Sequence, residues 1–391
     1  MKATAPFVFS HATHRVIFAA GCLDQLPAIA SAERRRQALV VMDEFFIDGP
    51  LHTHLAELMK PFEPVFHGVP RHEPDTGTVE SARQALVESG ADLVIAVGGG
   101  SAMDTAKVAR MTASNPGPID DIVGPVGVFM LPHPSLFVCV PTTAGTGSEV
   151  SESAVIAKTG TDYKMVLRSA EMSARLALLD PELSVTAPSG VTAASGYDAV
   201  THAVEAFTSK ASGPMTDPFA RSAMLLLAEA LPIACREPEN IEARAACLVG
   251  SMQAGIAFNS AHLGLAHAIA GALGALNHVS HGLANALALP WTMAFNEPEL
   301  GQKGDEIARI FAAPTAAAGL SRLRHEIGLD LSVDEWVESE AAREAVAAGA
   351  MKSGQIRVNP RMPDELQVRA IIEAMRTPTE GRQPELPMDH R

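Results

Sequence analysis

Residues 92–110 read DLVIAVGGGSAMDTAKVAR. A short apolar run ends in three glycines, and an amphipathic stretch follows at once. An apolar run of this length, closed by turn residues, is the pattern of a buried strand. Gly98, Gly99 and Gly100 tolerate positive φ and let an anion approach the backbone closely. A helix opening near Ser101 turns its unpaired N–H groups and positive dipole end toward such an anion. The spacing is neither G-x-G-x-x-G nor G-x-x-x-x-G-K-[ST], and a tight turn that needs glycine for packing alone is the competing reading.

Working outward, RVIF (15–18), ALVVM (38–42) and SLFVCV (135–140) are further strand-like runs. Helical periodicity separates them in LHTHLAELMKPF and TVESARQALVESG. This alternation predicts an α/β domain with a parallel sheet covered on both faces. PTTAGTGSEV (141–150) follows the last of these strands and crowds the hydroxyls of Thr142, Thr143, Thr146 and Ser148 beside two glycines. Ligands of open α/β sheets bind at such strand ends. Asp43 closes ALVVM and could accept hydrogen bonds from an adenosine ribose. A carboxylate there repels a 2′-phosphate, which favours NAD over NADP. An acidic turn former is the plainer reading of the same residue.

From residue 187 the texture changes to alanine-rich helical stretches at 189–210, 215–233, 239–274, 282–296, 302–318, 333–349 and 363–376. The expected organisation is an α/β domain over 1–186, an all-helical domain over 187–376, and a flexible tail over 377–391. The prolines and glycine of LLDPELSVTAPSG (178–190) mark the boundary. A chain of 391 residues fits two domains.

The second half carries Asp198 and His202, four apart in GYDAVTHAVEAF, then His267 and His281 in LGLAHAIAGALGALNHVSHGLANALALP. On a helix the first pair shares one face. A carboxylate with three imidazoles suits a borderline divalent metal. With 14 histidines in the chain, a single such pair is more often a helix charge beside a core histidine than a ligand pair; His267 and His281 in similar apolar surroundings strengthen the metal reading.

Five motifs in order, GGGSAMDTAK, PTTAGTGSEV, G-x-D-A-x-T-H-A-x-E, G-L-x-H and H-G-x-A-N-A-x-x-L-P, resemble the iron-containing (group III) alcohol dehydrogenases. The resemblance runs from about residue 15 to 300, with NPR (359–361) as a weaker C-terminal match. It implies a Rossmann-like nucleotide domain and an all-α metal domain, the dehydroquinate synthase-like architecture, with a cleft between them. It implies one divalent metal on Asp198, His202, His267 and His281, Fe2+ favoured and Zn2+ possible, and makes His267 and His281 catalytic as well as ligating. It implies NAD pyrophosphate on Gly98, Gly99, Gly100 and Ser101. Thr142, Thr143, Thr146, Ser148, Asp104, Leu179 and Lys164 would lie along the cofactor.

Three positions depart from the family pattern. Gly271 stands where a second histidine is usual, Glu73 where an asparagine is common, and Trp291 where histidine is frequent. His278 and His262 could compensate for the missing histidine, His278 as a catalytic group, although surface histidine explains both. His262 lies five residues before His267, about 140° round a continuous helix, and should not share the metal.

The activity implied is hydride transfer between a small alcohol or aldehyde and nicotinamide. A dehydroquinate synthase-like lyase and a non-catalytic nucleotide-binding protein are the alternatives. A net charge of −15 argues against nucleic acid and anionic membranes as partners. Four scattered cysteines form no C-x-x-C pair and suit a reducing compartment. No signal peptide is evident, and no stretch reaches the roughly 18 uncharged apolar residues of a membrane span. Cytoplasmic location and a homodimer or higher homo-oligomer are expected, the latter through the strand near RVIF.

Overall fold

The computed structural model describes residues 9, 13–70, 73–115, 117, 119, 131–161, 164–384 and 386. Part of VPRHEPD and part of the C-terminal tail therefore lie outside the described residues. Eight strands form: β1 (Arg15–Phe18), β2 (Ala38–Asp43), β3 (Val65–Val69), β4 (Leu93–Gly98), β5 (Leu136–Pro141), β6 (Ser153–Ala157), β7 (Lys164–Arg168) and β8 (Leu176–Leu179). Six of them make one parallel sheet in the order β1-β8-β5-β4-β2-β3. β6 and β7 pair antiparallel as a separate ribbon.

The central strands β2, β4 and β5 are apolar on both faces, as parallel strands covered on both sides must be. Val40, Met42, Ile95 and Val138 point to one face, where Leu26 of α1 (Leu26–Ala32) and Leu55 of α2 (Pro50–Leu58) pack. Leu39, Val41, Val94 and Phe137 point to the other, against Leu86 of α3 (Thr76–Ser89) and Met103 of α4 (Gly100–Ser114). Sequence patterning missed β3, β8 and the β6–β7 ribbon. His67 and Gly68 interrupt the apolar run in β3, and β8 is only four residues long.

The chain divides into two compact units. One spans residues 11–185; the other spans 186–391 and takes in Phe9, whose ring stacks on Phe219. Nine helices lie in the second unit among the described residues: α5 (Ser189–Thr208), α6 (Asp217–Arg236), α7 (Ile241–Ala261), α8 (Leu265–Asn277), α9 (His281–Leu300), α10 (Gln302–Ile310), α11 (Ala316–Glu326), α12 (Glu340–Met351) and α13 (Glu365–Ala374). By length and composition α6 could cross a bilayer, yet it carries Arg221 and Glu229 and packs on α5 and α7, as a core helix does.

The periodicity over 239–274 predicts one helix, and here the structure differs. α7 stops at Ala261, His262 takes φ +60°, and α8 leaves at 100° to α7. His262 and His267 therefore do not share a continuous helix, and their spacing of five residues does not set the angle between them. The stretch 302–318 also splits, because Thr315 caps a new helix by accepting the Ala318 N–H. At the start of the tail, Thr379 is buried and its N–H and hydroxyl both donate to Asp330.

Candidate metal centre and cofactor cradle

α5 is built of small residues, so its backbone packs closely against α9: a Cβ on Gly282 would fall 2.7 Å from the carbonyl carbon of Ala194. That approach lets short side chains on the two helices meet. Asp198 and His202 lie one turn apart on α5, His267 sits in the first turn of α8, and His281 is the first residue of α9. One donor atom from each lies within 4.8 Å of the other three. The Nε2 atoms of His202, His267 and His281 stand 3.9, 3.6 and 3.6 Å from Asp198 Oδ1. Ligands about 2.0–2.2 Å from a tetrahedral metal are separated by roughly 3.4 Å, so these spacings fit such an ion. Asp198, His202 and His267 are buried, whereas the His281 side chain is 48% exposed. Three of the four donors are thus buried, and His281 stands where the cluster meets solvent.

The electrostatics agree with a cation site. Burial opposes ionisation of Asp198, but the three neighbouring imidazoles of His202, His281 and His267 outweigh it and hold the carboxyl well below its usual range. Burial likewise opposes charge on His267, yet Asp198 and Glu205 push its pKa up to about 9. The Asn285 Nδ2 donates to Asp198 Oδ1 at 2.7 Å and lies 3.2 and 3.3 Å from the Nε2 atoms of His267 and His281. Its Oδ1 is buried without a hydrogen-bond partner. A buried carboxylate, three converging imidazoles and an orphaned amide oxygen fit a bound divalent ion and have no other evident purpose.

Glu205 and Asn285 lie inside the motifs, but the motifs alone give neither a role. The signal was present: Glu205 falls three residues after His202, and Asn285 four after His281, each on its ligand's helical face. Glu205 is buried, and its Oε2 lies 2.7 Å from the His267 Nδ1. His278 caps the C-terminus of α8 at φ +55° and His262 ends α7; both are exposed, and neither is among the four converging residues. Gly271 lies one turn beyond His267 on α8, and a Cβ there would meet nothing within 4 Å. Trp291 is buried in α9.

In the α/β unit the register aligns the carboxyl ends of neighbouring strands. Met42 pairs with Val97, Gly98 with Pro141, and Asp43 with Val69, so Asp43, Gly98 and the 141–150 loop share one sheet edge. Gly98 has φ +150°, and a Cβ on it would lie 2.9 Å from Ala102 Cβ and 3.1 Å from Asp43 Cβ. A Cβ on Gly100 would lie 2.8 Å from Thr146 Cγ2, and one on Gly99 3.3 Å from Thr143 Oγ1. The glycines therefore let the 141–150 loop close over the start of α4, and the Thr142 N–H donates to Gly98 O at 3.0 Å. Ser101 is part-buried in the first turn of α4. Asp43 Oδ1 accepts from the Phe45 N–H at 2.9 Å.

Beneath this turn Lys107 is fully buried and donates to Ser148 Oγ (2.7 Å), Ser151 Oγ (3.2 Å) and Ser153 O (2.8 Å). The Ser148 hydroxyl donates to Asp104 Oδ1 at 2.6 Å, and the Val155 N–H donates to Asp104 Oδ2 at 2.9 Å. Asp104 and Ser148 thus brace the loop from below. Burial lowers the Lys107 pKa, and burial pushes Glu149 up to about 7. Lys164 opens β7 and pairs with Glu73 at 2.6 Å; Leu179 is buried at the end of β8 beside Phe18.

Known proteins resemble this chain over most of its length. Residues 13–181 match the iron-containing alcohol dehydrogenase family, and residues 192–376 match the C-terminal region of the Fe-containing alcohol dehydrogenase family. The NAD-dependent methanol dehydrogenase of Bacillus methanolicus is 33% identical over 350 residues, covering 86% of this chain and 91% of that one. A crystal structure of 1,3-propanediol oxidoreductase superposes with a TM-score of 0.89 at 31% identity, over 95% of this chain and all of that one. Sulfoacetaldehyde reductase from Bifidobacterium kashiwanohense, in complex with NAD+, superposes with a TM-score of 0.87 at 25% identity, over 95% and 99%. Two family regions that together span most of its length, joined in one chain, make this protein a member of the iron-containing alcohol dehydrogenase family.

Proposed function

We propose that this chain transfers hydride between a small alcohol or aldehyde and NAD at one divalent ion held by Asp198, His202, His267 and His281. Its family makes it an oxidoreductase acting on CH–OH groups. The convergence of those four donors within 4.8 Å carries the reading. When bound, the ion polarises an alcohol or carbonyl oxygen and NAD accepts or returns the hydride. Fe2+ is the favoured ion and Zn2+ the second, since one carboxylate with three imidazoles suits both.

The chain's own residues supply the rest. Asp198 contributes the one negative charge of the set. His281, the most exposed of the four, stands where the cluster meets solvent. Gly271 offers no acid or base, so the proton reaches solvent through water, a cofactor ribose hydroxyl or a nearby histidine such as His278. The N–H groups of Gly99, Gly100 and Ser101 hold the pyrophosphate, and Asp43 takes the ribose hydroxyls and repels a 2′-phosphate. Thr142, Thr143 and Thr146 lie along the cofactor with Lys164, while Asp104 and Ser148 keep the loop in place. Residues 187–376 form the metal and substrate domain. The β1 edge, with Phe18 exposed on it, supports a homodimer or larger homo-oligomer. Four free cysteines, three of them buried, suit the cytoplasm. His267→Ala should remove bound metal and turnover together; full activity in that variant would sink the proposal.

A further inference from the structure

Glu205 is buried in α5, three residues after His202, and acts throughout as an acceptor. Its Oε1 accepts from the Ala266 N–H at 2.7 Å, and its Oε2 accepts from the Gly264 N–H at 2.9 Å and meets the His267 Nδ1 at 2.7 Å. The remaining N–H of this turn, Leu265, donates to Asn359 Oδ1 at 3.1 Å. Gly264 is close-fitting here: a Cβ would lie 2.7 Å from Asn359 Oδ1 and 3.0 Å from Glu205 Oε1. The first N–H groups of α8 are therefore satisfied by two side chains from outside the helix, which is what allows α8 to begin afresh after the 100° break.

We infer that Glu205 is the positioning residue of the metal centre: it fixes both the start of α8 and the tautomer of His267. Both carboxylate oxygens already face main-chain N–H donors, which leaves the carboxylate as the acceptor in its contact with the ring. The ring contact must then run from Nδ1–H to Oε2, which leaves the Nε2 lone pair directed at Asp198, 3.6 Å away. One side chain thus joins α5, which carries two ligands, to α8, which carries the third. This inference rests on the metal reading above.

The test is zinc affinity of the full-length chain, by competition with a chromophoric chelator, for wild type and Glu205→Gln. An amide offers one acceptor oxygen where three N–H groups converge, so binding should weaken about 10- to 100-fold, the usual cost of losing an outer-sphere partner. A second measurement needs no variant. In zinc-loaded wild-type protein with 15N-labelled histidine, His267 should carry its proton on Nδ1 and bind through Nε2. Zinc affinity of E205Q within twofold of wild type, or a His267 protonated on Nε2, overturns the inference alone. Absence of zinc binding by wild type overturns it together with the metal reading. If E205Q does not fold, the tautomer decides.

Discussion

The second residue of α9 tests whether the metal centre depends on the close contact of two helices. Gly282 follows His281 directly and faces Ala194, one turn before Asp198 on α5. In Gly282→Ala the new Cβ would lie 2.7 Å from the Ala194 carbonyl carbon and closer still to its oxygen. Both are main-chain atoms of a packed helix, so no side chain can swing aside. Carbon–oxygen contacts settle near about 3.3–3.6 Å, so the start of α9 must withdraw by on the order of 1 Å. Metal sites tolerate about 0.2 Å. His281 would move away from Asp198, and the 2.7 Å bond from Asn285 to Asp198 would stretch with it. We expect overpacking to cost about 1–3 kcal/mol of stability and metal affinity to fall by about 100-fold or more, at or beyond the outer-sphere range. Gly271→Ala is the control, because its Cβ meets nothing within 4 Å; it should leave metal affinity unchanged and stabilise α8 by roughly 0.5–1 kcal/mol. Chelator competition and thermal unfolding of both variants provide the readouts. Wild-type metal affinity in G282A would refute the claim that the α5–α9 contact sets the ligand geometry.

Two further outcomes follow from the α/β unit. Burial raises Glu149 from 4.5 to about 7, so its contribution to stability is complete below pH 4.5 and is lost as pH rises through about 7. Wild type should therefore lose on the order of 3 kcal/mol from this group between about pH 4 and pH 8. Glu149→Gln should not, and its denaturant midpoint should gain on wild type across that interval; parallel pH profiles would show that Glu149 is already ionised throughout. Asp43→Ser should lower kcat/KM for NADH roughly 10- to 100-fold, the worth of one charge-assisted hydrogen bond of about 1.5–3 kcal/mol, and should improve use of NADPH. An unchanged NADH to NADPH ratio would reduce Asp43 to a turn former that caps Phe45.

The sequence was most legible where one residue pattern answers one physical demand. β2, β4 and β5 are buried on both faces, and their apolar runs say so. The metal quartet was visible because charge and imidazole are costly among alanines and glycines without a partner. The break at His262–Gly264 was not visible, because apolar periodicity continues through it and what holds the new helix start is a carboxylate 59 residues away in sequence. Glu205 itself sat in a quoted motif; nothing local shows that its partners are the N–H groups of another helix. Asp104 and Ser148 read as cofactor contacts from their place in the motifs; that they also bond to each other, to Lys107 and to Val155 is not legible there. A buried lysine beneath a glycine turn is a feature of packing, and no spacing rule announces it.

The most direct test of the account is NADH oxidation with a panel of short aldehydes, run on protein reconstituted anaerobically with Fe(II) or Zn(II), with NADPH in parallel. The account predicts turnover that requires metal and prefers NADH. Absence of turnover with either ion, in protein shown to bind both metal and NADH, would contradict it.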